Sequence, residues 1–270
     1  MFVTLKNIVH LFLTKQELIK NMTYKELTDR YAGSSFGLLM SIIQPLLIIA
    51  IYTLVFTFIF KVKMSGENAK SINYAFYAIA GLVPWIAVSE GISKGTSSVF
   101  SKSSIVKQAI FPTEVLPIAT ALSTLWPLVV SFVIYLVAAI FLIPQHLTWY
   151  LLLLPAIFFF QALFSIGLAW LLSIVGVYFR DIGELVGVLL MVGMFITPIM
   201  YLEDMIPGVF IWPMRFNPFA HLIFIYRDVV FYGKILHPWS FLIFGVLSVF
   251  VFMWGYIAFN KMKHLFANVL

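Results

Sequence analysis

The feature that most constrains this chain is the stretch from Val115 to Phe179, in which no residue is charged. Soluble domains carry about 25% charged residues, so a charge-free stretch of this length is not expected in water. It is also too long for one membrane helix, since about 20 residues cross the hydrocarbon core of a bilayer. Pro144, Gln145 and His146 interrupt it. We therefore predict two membrane-spanning helices joined by a short turn.

The composition of the whole chain supports a membrane protein. Of its 270 residues, 62% are hydrophobic and 10% are charged, against roughly 45–50% apolar residues in soluble domains. In lipid, the backbone must form its hydrogen bonds within helices or closed barrels. The charge-free segments have the length of helices, so the sequence predicts an all-α integral membrane protein with one transmembrane domain over residues 1–270. The absence of cysteine excludes disulfides and thiolate metal sites.

Charged and polar segments divide the chain into six predicted spans. The spans are expected at residues 37–60, 73–92, 115–143, 150–179, 185–202 and 239–260. Lysine and arginine are more frequent in the segments on the same side as the N-terminus, and cytoplasmic loops are enriched in these residues. Both termini are therefore predicted to be cytoplasmic.

Residues 1–36 are predicted to form amphipathic helices on the cytoplasmic membrane surface, because they mix charged and apolar residues. Thr14 and Thr23 each precede a glutamate by three residues, which is the pattern of a capping box. Two short helices with a bend near Met22 are expected.

A further short helix is predicted at residues 98–111, between the second and third spans. Val106 belongs to a small apolar face, Lys102 and Lys107 are polar, and Pro112 ends the helix, because the residue before proline disfavours helical geometry. Such a helix could dock on a soluble partner or simply connect two spans, and its periodicity does not decide between these functions.

The sequence lacks the motifs that would make this chain an energy-converting enzyme. It has no G-x-x-x-x-G-K-[ST] phosphate loop. Glu90 is the only acidic residue within a predicted span, and it lies near the end of that span, which argues against ion-coupled transport. The five histidines share no metal-ligand spacing. We expect no catalytic residue, no metal ligand and no cofactor in this chain.

The first span carries a repeating polar and aromatic pattern. Gln44, Ile48, Tyr52 and Phe56 recur every four residues, and Ser41 lies nearby. Such a stripe could line a pathway on which sugar rings stack, or it could pack against another helix. Two G-x-x-x-G pairs, at 33–37 and 183–187, are typical of closely packed membrane helices.

Several motifs occur in order from about residue 24 to residue 234. They are R-Y-A-G-S-S-F-G at 30–37, A-G-L-V-P-W at 80–85, I-V-K-Q-A-I-F-P-T-E-V-L-P at 105–117, F-R-D-I at 179–182, T-P-I-M-Y at 197–201, N-P at 217–218 and Y-R-D at 226–228. Together they resemble the membrane permease subunit of polysaccharide-exporting ABC transporters, which move O-antigens, capsules and teichoic acids. Met40, Gln44 and Thr113 depart from the family pattern, and the last puts in doubt an ion pair from that position to an ATPase.

The resemblance implies a multi-pass protein of the bacterial inner membrane that is a transport subunit and not an enzyme. It implies a homodimer bound to two cytoplasmic ATPase subunits, which would bind the ATP and Mg²⁺. The substrate would be a polysaccharide linked to a polyprenyl diphosphate, and no nucleic acid is expected as a partner. The first and fifth spans would line the channel, and helices between the fifth and sixth spans would form an outer gate.

Four groups of site residues follow from the stripe, the charges and the resemblance. The channel-lining residues would be Ser41, Gln44, Tyr52, Phe56, Phe195 and Tyr201. The lipid diphosphate would bind Lys25, Arg30 and Arg180, since arginine suits phosphate. The ATPase-coupling residues would be Lys15, Glu17, Lys102, Lys107 and Gln108. The outer gate would contain Arg215, His221, Arg227 and Asp228.

Three alternatives remain open from the sequence. The chain could be an ABC exporter permease for a small hydrophobic molecule or drug. It could be a membrane-embedded transferase acting on lipid-linked sugars, although that reading needs a carboxylate pair at the membrane interface, which the sequence lacks. Arg30 and Arg180 could also be span-end residues whose charged groups extend to the lipid headgroups.

Overall fold

The computed structural model describes residues 2–60, 71–107, 111–179, 181–202 and 208–269. Every regular element in these ranges is helical, which confirms the predicted all-α class. The α-helices are α1 (Phe2–Thr14), α2 (Gln16–Arg30), α3 (Met40–Leu54), α4 (Ser71–Ser97), α5 (Ser103–Val106), α6 (Val115–Ser123), α7 (Leu125–Leu142), α8 (Leu154–Tyr178), α9 (Ile182–Ile196), α10 (Gly208–Phe216), α11 (Pro218–Arg227), α12 (Pro238–Met262) and α13 (Phe266–Val269).

Shorter helical turns flank several of these helices. They are 3₁₀ turns at Gly37–Leu39, Phe100–Lys102, Pro144–His146, Trp149–Leu153 and Lys263–Leu265, and π-helical turns at Val55–Phe60 and Asp228–Tyr232.

Five helical segments are long and apolar enough to cross a membrane. They are Gly37–Ile59, Asn73–Ser97, Val115–Leu142, Trp149–Tyr178 and Pro238–Leu265. They lie where five of the six predicted spans were placed. The remaining predicted span, 185–202, corresponds to α9, which has 15 residues. At 1.5 Å per residue, α9 is about 22 Å long and is shorter than the ~30 Å hydrocarbon core.

Helix α4 lies at the centre of the bundle. In its most apolar stretch 83% of the residues are buried, against 17% in the segment that contains α3. It packs against α3, α7, α8, α9 and α11. Because α3 and α9 both contact α4 while most of their apolar side chains stay exposed, each presents a broad face away from this chain.

Helices α4, α8 and α12 approach each other so closely that only glycine fits at the contacts. A Cβ atom added at Gly167 would lie 2.6 Å from the backbone of Val251, and one added at Gly95 would lie 2.7 Å from the Cβ of Ala169. Small residues of this kind allow membrane helices to pack backbone to backbone. The α8–α12 contact is the most extensive in the chain.

The two G-x-x-x-G pairs do not serve this purpose within the chain. A Cβ atom at Gly33, Gly37, Gly183 or Gly187 would meet no other atom within 4 Å. Gly33 and Gly37 have φ angles of 83° and 52°, a conformation that side-chain-bearing residues rarely adopt. These two glycines shape the turn between α2 and the first span.

The bundle has two chemically different ends. We call the end that holds α2, residues 98–107 and the C-terminal end of α12 the basic end, because most of the lysines lie there. The opposite end, which holds residues 144–153, 197–202 and 228–237, is called the far end.

The N-terminal helices differ from the predicted pattern. They break at Lys15 and not near Met22, so that prediction was wrong. The hydroxyls of Thr14 and Thr23 donate to the carbonyls of His10 and Ile19 in the preceding turn. Threonine often bonds backward in this way inside helices instead of capping the next one.

Helices α10 and α11 form a hairpin between α9 and α12. Phe219, at the start of α11, packs edge-on against Trp85, which is midway along α4. Gly233, which follows the π-helical turn after α11, lies against His146 at the far end. The turn between α10 and α11 is therefore at mid-depth, and α11 runs from there to the far end.

Candidate functional site

A three-membered charge cluster lies at the basic end, where α2 meets α4. The Nη1 atom of Arg30 lies 2.7 Å from Oε1 of Glu90, and the Nζ atom of Lys94 lies 2.7 Å from the same oxygen. The Arg30 and Glu90 side chains are 17% and 18% exposed, whereas that of Lys94 is 40% exposed. Arg30 is the last residue of α2, and Glu90 and Lys94 are one turn apart on α4.

Arg30 and Glu90 of this cluster line a cleft between α3, α4 and α7. Nη2 of Arg30 approaches Oε1 of Gln44 at 3.5 Å, and the Arg30 guanidinium lies 5.4 Å from the ring centroid of Tyr31. The remaining walls are made mainly by Pro45, Ile48, Val83, Ile86, Pro127 and Ser131. The cleft has a polar mouth and apolar walls, and its cavity volume is about 40 Å³. In this conformation it has room for a few water-sized groups and not for a hydrocarbon chain.

The hydroxyl of Tyr31 lies beside this cluster. Tyr31 is 6% exposed, and its hydroxyl has no hydrogen-bond partner among the described residues. Burial raises the pKa of Tyr31, the positive charge of Arg30 partly offsets that rise, and the negative charge of Glu90 adds to it. The hydroxyl is therefore a protonated donor at neutral pH.

Lys25 and Arg180 were the other two residues predicted to bind the headgroup. Lys25 is exposed on α2, and Arg180 falls outside the described residues. Burial lowers the pKa of Lys102, and the charge of Lys25 lowers it further. Lys25 is thus close to Lys102, whose ammonium is paired with the carboxylate of Glu26.

The predicted ATPase-coupling residues are partly on the surface. Lys15, Glu17 and Lys107 are exposed, while Lys102 joins α2 to the turn after α4 through its ion pair with Glu26. Gln108 falls outside the described residues. The predicted helix at 98–111 consists, where it is described, of the 3₁₀ turn Phe100–Lys102 and the four-residue α5.

A further ion pair at the basic end escaped the sequence reasoning. Nζ of Lys263 lies 3.3 Å from both carboxylate oxygens of Glu114, and Nε1 of Trp170 donates to the backbone carbonyl of Glu114 at 3.1 Å. The loop before α6 is thereby fixed to α8 and to the end of α12.

The stripe predicted on the first span does not stay on one face. Gln44 is exposed and Tyr52 is half-buried, whereas Phe56 is buried with its ring edge-on to Tyr74 at 5.2 Å. A repeat of four residues advances 400° around a helix of 3.6 residues per turn, so the stripe drifts by about 120° over three steps. Ser41 is buried and accepts a hydrogen bond from Nε1 of Trp126 at 3.2 Å.

The other two predicted channel-lining residues, Phe195 near the end of α9 and Tyr201 after it, also differ in exposure. Phe195 is 68% exposed on the outward face of α9. Tyr201 is half-buried; its hydroxyl donates to the carbonyl of Ile196 at 3.0 Å, and its own carbonyl accepts from the Tyr77 hydroxyl at 3.2 Å. Gln44 and Phe195 are thus the members of the predicted set that lie on an open surface.

At the far end, Arg227 is completely buried. Its Nη2 donates to the carbonyl of Ile199 at 2.6 Å, its Nε donates to the carbonyl of Tyr77 at 3.3 Å, and its guanidinium lies over the Tyr77 ring. Gly81, one turn along α4, leaves room for it, since a Cβ there would lie 3.1 Å from Nη2. Arg227 thus holds α11, α4 and the segment after α9 together.

Asp228 is also fully buried and organises the turn that leads into α12. Its Oδ2 accepts hydrogen bonds from the backbone N–H groups of Leu236 and His237, at 2.9 and 2.7 Å. Its Oδ1 lies 2.9 Å from Nδ1 of His237. Three donors on one carboxylate give this turn a single conformation.

The remaining two predicted gate residues frame a pocket between α10, α11 and α12. The ring of His221 contacts the Ser240 hydroxyl and the backbone carbonyl of Arg215, each at 2.9 Å. The Arg215 side chain is exposed over the ring of Trp212. His221 therefore connects the hairpin to the start of α12.

Sequence reasoning assigned no binding or structural role to Glu90, Lys94 or Gln161, each of which makes polar contacts between side chains in the structure. Glu90 and Lys94 have the i, i+4 spacing of a helical ion pair, which was a readable signal. Gln161, midway along α8, accepts a hydrogen bond from the Tyr226 hydroxyl and donates to the carbonyl of Pro84. No local pattern marked Gln161.

Comparison with known proteins gives this arrangement a family. The sequence profile of the ABC-2 type transporter family matches residues 17–231. The chain is 29% identical over 261 residues to an O-antigen export system permease protein RfbA of Klebsiella pneumoniae, covering 94% of this chain and 95% of that protein. It is 30% identical over 184 residues to an O-antigen export system permease protein RfbA of Myxococcus xanthus, covering 68% of each chain.

The profile match extends from α2 to the end of the π-helical turn after α11 and so includes both the charge cluster and the Arg227 network. Proteins of this family are the membrane-embedded subunits of transporters driven by an ATPase. This chain therefore belongs to the ABC-2 type transporter family, as a multi-pass membrane transport subunit that works with an ATPase.

Proposed function

We propose that this chain is the permease subunit of an ATP-driven exporter that moves a lipid-linked polysaccharide, such as O-antigen, across the cytoplasmic membrane. The observation that carries the proposal is its similarity, over almost its whole length, to proteins that are themselves named O-antigen export permeases. The polyprenyl-diphosphate carrier and the bacterial inner membrane are parts of the same proposal.

In this proposal the basic end faces the cytoplasm, so both termini are cytoplasmic. Its lysines fit the enrichment of basic residues on that side. Helix α9 and residues 197–202 together form the fifth of six spans, because the segment after α9 continues to the far end. The hairpin of α10 and α11 then lies within the outer part of the membrane and serves as the gate.

The proposed assembly is a homodimer on two ATPase subunits. Helices α3 and α9 flank the buried α4, and their exposed, mainly apolar faces are available to a second copy. Phe195 lies on the exposed face of α9, and Gln44 lies on that of α3. The channel then forms between the two copies. The ATPase docks on the exposed Lys15, Glu17 and Lys107, with Gln108 in the same surface. Lys102 supports this surface through its ion pair with Glu26.

The proposed entry site for the substrate is the cleft at the basic end. Arg30 receives the diphosphate, with Lys25 and Arg180 as further cations at the same membrane interface. The exposed apolar side chains of α3 beside the cleft suit contact with the polyprenyl chain, and a guanidinium makes paired hydrogen bonds to phosphate oxygens.

Deleting the gene in its own host tests the function. Lipid-linked glycan should accumulate on the cytoplasmic side, and the wild-type gene should restore export. Charge reversal at Arg30 should reduce export at unchanged protein level, whereas Lys20→Glu, a charge reversal at an exposed residue of the same helix, should not. An unchanged distribution of glycan in the deletion strain, together with loss of resistance to a small hydrophobic compound, would favour the drug-exporter alternative.

A further inference from the structure

We infer that Glu90 is an internal counter-ion occupying a diphosphate site made by Arg30 and Lys94, and that the diphosphate group of the substrate displaces it. This inference rests on the proposed function, because the anion is taken from a lipid-linked substrate. It adds Lys94 to the site as a binding residue and gives Glu90 a role in selecting the ligand.

The geometry of the ion pairs is the first argument. Both cations contact the same oxygen of Glu90, each at 2.7 Å. Two positive groups on one carboxylate leave the cluster with a net positive charge, so the carboxylate does not neutralise the site. A lipid diphosphate carries about two negative charges at neutral pH and would match the two cations, with an oxygen for each of them.

The surroundings of the cluster are the second argument. The Tyr31 ring lies 5.4 Å from the Arg30 guanidinium, and its buried hydroxyl has no hydrogen-bond partner among the described residues. An unsatisfied buried donor is unfavourable, and a phosphate oxygen would accept from it. The Gln44 oxygen is at 3.5 Å from Arg30, a distance at which a hydrogen bond contributes little, so Gln44 does not compete with an anion.

The exposure of the three side chains is the third argument. The side chains of Arg30 and Glu90 are less than one-fifth exposed, whereas that of Lys94 is 40% exposed. The attraction between the two buried charges is stronger than it would be in water. Lys94 can therefore follow either anion with little change in solvation. Glu90 itself can turn toward water once its place is taken, since it lies two residues from the end of the predicted span.

Binding of a polyprenyl diphosphate to the permease–ATPase complex in nanodiscs of neutral lipid, without nucleotide, tests this inference. Glu90→Gln removes the competing charge and should tighten binding about tenfold, which corresponds to about 1.4 kcal/mol. Glu114→Gln is the matched control, because it removes a carboxylate that is also paired with a lysine at the basic end, and it should leave binding unchanged. Lys94→Gln should weaken binding, and adding Arg30→Gln to Glu90→Gln should abolish the gain.

Two further probes separate the possible sources of the anion. Inorganic diphosphate should compete for the site in the Glu90→Gln complex, which shows that the headgroup is recognised. In nanodiscs containing phosphatidylglycerol, Glu90→Gln should not increase the affinity for that lipid as it does for polyprenyl diphosphate. An equal increase for phosphatidylglycerol would overturn the inference, because the variant would then attract any anionic lipid.

The outcomes distinguish this inference from the proposed function. If Arg30→Gln weakens binding and Glu90→Gln does not tighten it, the counter-ion role is rejected and the headgroup role of Arg30 stands. If Arg30→Gln also leaves binding unchanged, both are rejected. Should Glu90→Gln fail to fold, Glu90→Asp withdraws the carboxylate by one methylene and should give a smaller gain in affinity; unchanged or weaker binding by this variant would likewise reject the counter-ion role.

Discussion

The guanidinium carbon of Arg227 lies 3.6 Å from the ring centroid of Tyr77, and Nη2 of the same group donates to the carbonyl of Ile199. These contacts join three parts of the chain that are distant in sequence. Since Arg227 is fully buried, the hydrogen bonds are made away from water. The segment after α9 is therefore fixed to α4 by one side chain.

Replacing Arg227 should destabilise the protein strongly. Arg227→Ala leaves the carbonyls of Tyr77 and Ile199 without these donors and opens a cavity, for a loss of about 3–5 kcal/mol in the free energy of unfolding. Arg215→Ala is the control, because Arg215 is exposed, and it should cost less than about 1 kcal/mol. Thermal unfolding in detergent measures both, and equal effects would contradict the structural role given to Arg227.

The close contact between α8 and α12 should not accept a methyl group. Gly167→Ala places a Cβ atom 2.6 Å from the backbone of Val251, so the two helices must separate and the yield of folded protein should fall. Gly187→Ala places its methyl group in open space within the chain. Because alanine favours helix over glycine by about 1 kcal/mol, it should leave the stability of the single chain unchanged or raised. A loss of folded protein in the second variant alone would contradict this packing.

The ion pair between Lys102 and Glu26 should contribute to coupling more than to stability. Lys102→Glu introduces repulsion between α2 and the turn after α4, while the double variant with Glu26→Lys restores the attraction. We expect the single variant to lower substrate-stimulated ATP hydrolysis and the double variant to recover it, with changes in unfolding free energy of about 1 kcal/mol or less. Failure of the double variant to recover activity would show that Lys102 contacts the ATPase itself.

The proposed dimer can be tested by cross-linking, because the chain contains no cysteine. Phe195→Cys introduces a thiol on the exposed face of α9 and should form a disulfide-linked dimer on mild oxidation. Trp254→Cys introduces one on the exposed face of α12, which packs away from α3 and α9, and should remain monomeric on a denaturing gel. Cross-linking through Trp254→Cys alone would place the interface on α12.

Five of the six predicted spans agree with the structure because spans depend on composition. A charge-free stretch must lie in lipid whatever its neighbours are, and Pro144 to His146 marks a turn in any such stretch. The same reasoning cannot decide which helix covers which face. Phe56 fitted the stripe, and its burial follows from the position of Tyr74 on α4, which no local pattern reveals.

The charge cluster shows where local signals end. The spacing of Glu90 and Lys94 indicates an ion pair within one helix, but Arg30 reaches Glu90 from α2 only because of the turn shaped by Gly33 and Gly37. The break at Lys15 was missed for a related reason. A threonine hydroxyl can accept a hydrogen bond from the backbone of the following helix as a cap, or donate one to a carbonyl of the preceding turn. The residues around Thr14 are compatible with both.

Backbone contact between α8 and α12 leaves no room for one to slide along the other, since packed interiors resist compression. The pair therefore moves as a single rigid lever. One end of this lever is anchored through Lys263 to Glu114, beside the surface offered to the ATPase, and the other holds the hairpin through the contact of Ser240 with His221. We therefore expect a tilt of the pair at the basic end to reach the hairpin directly, without a chain of intermediate side-chain rearrangements.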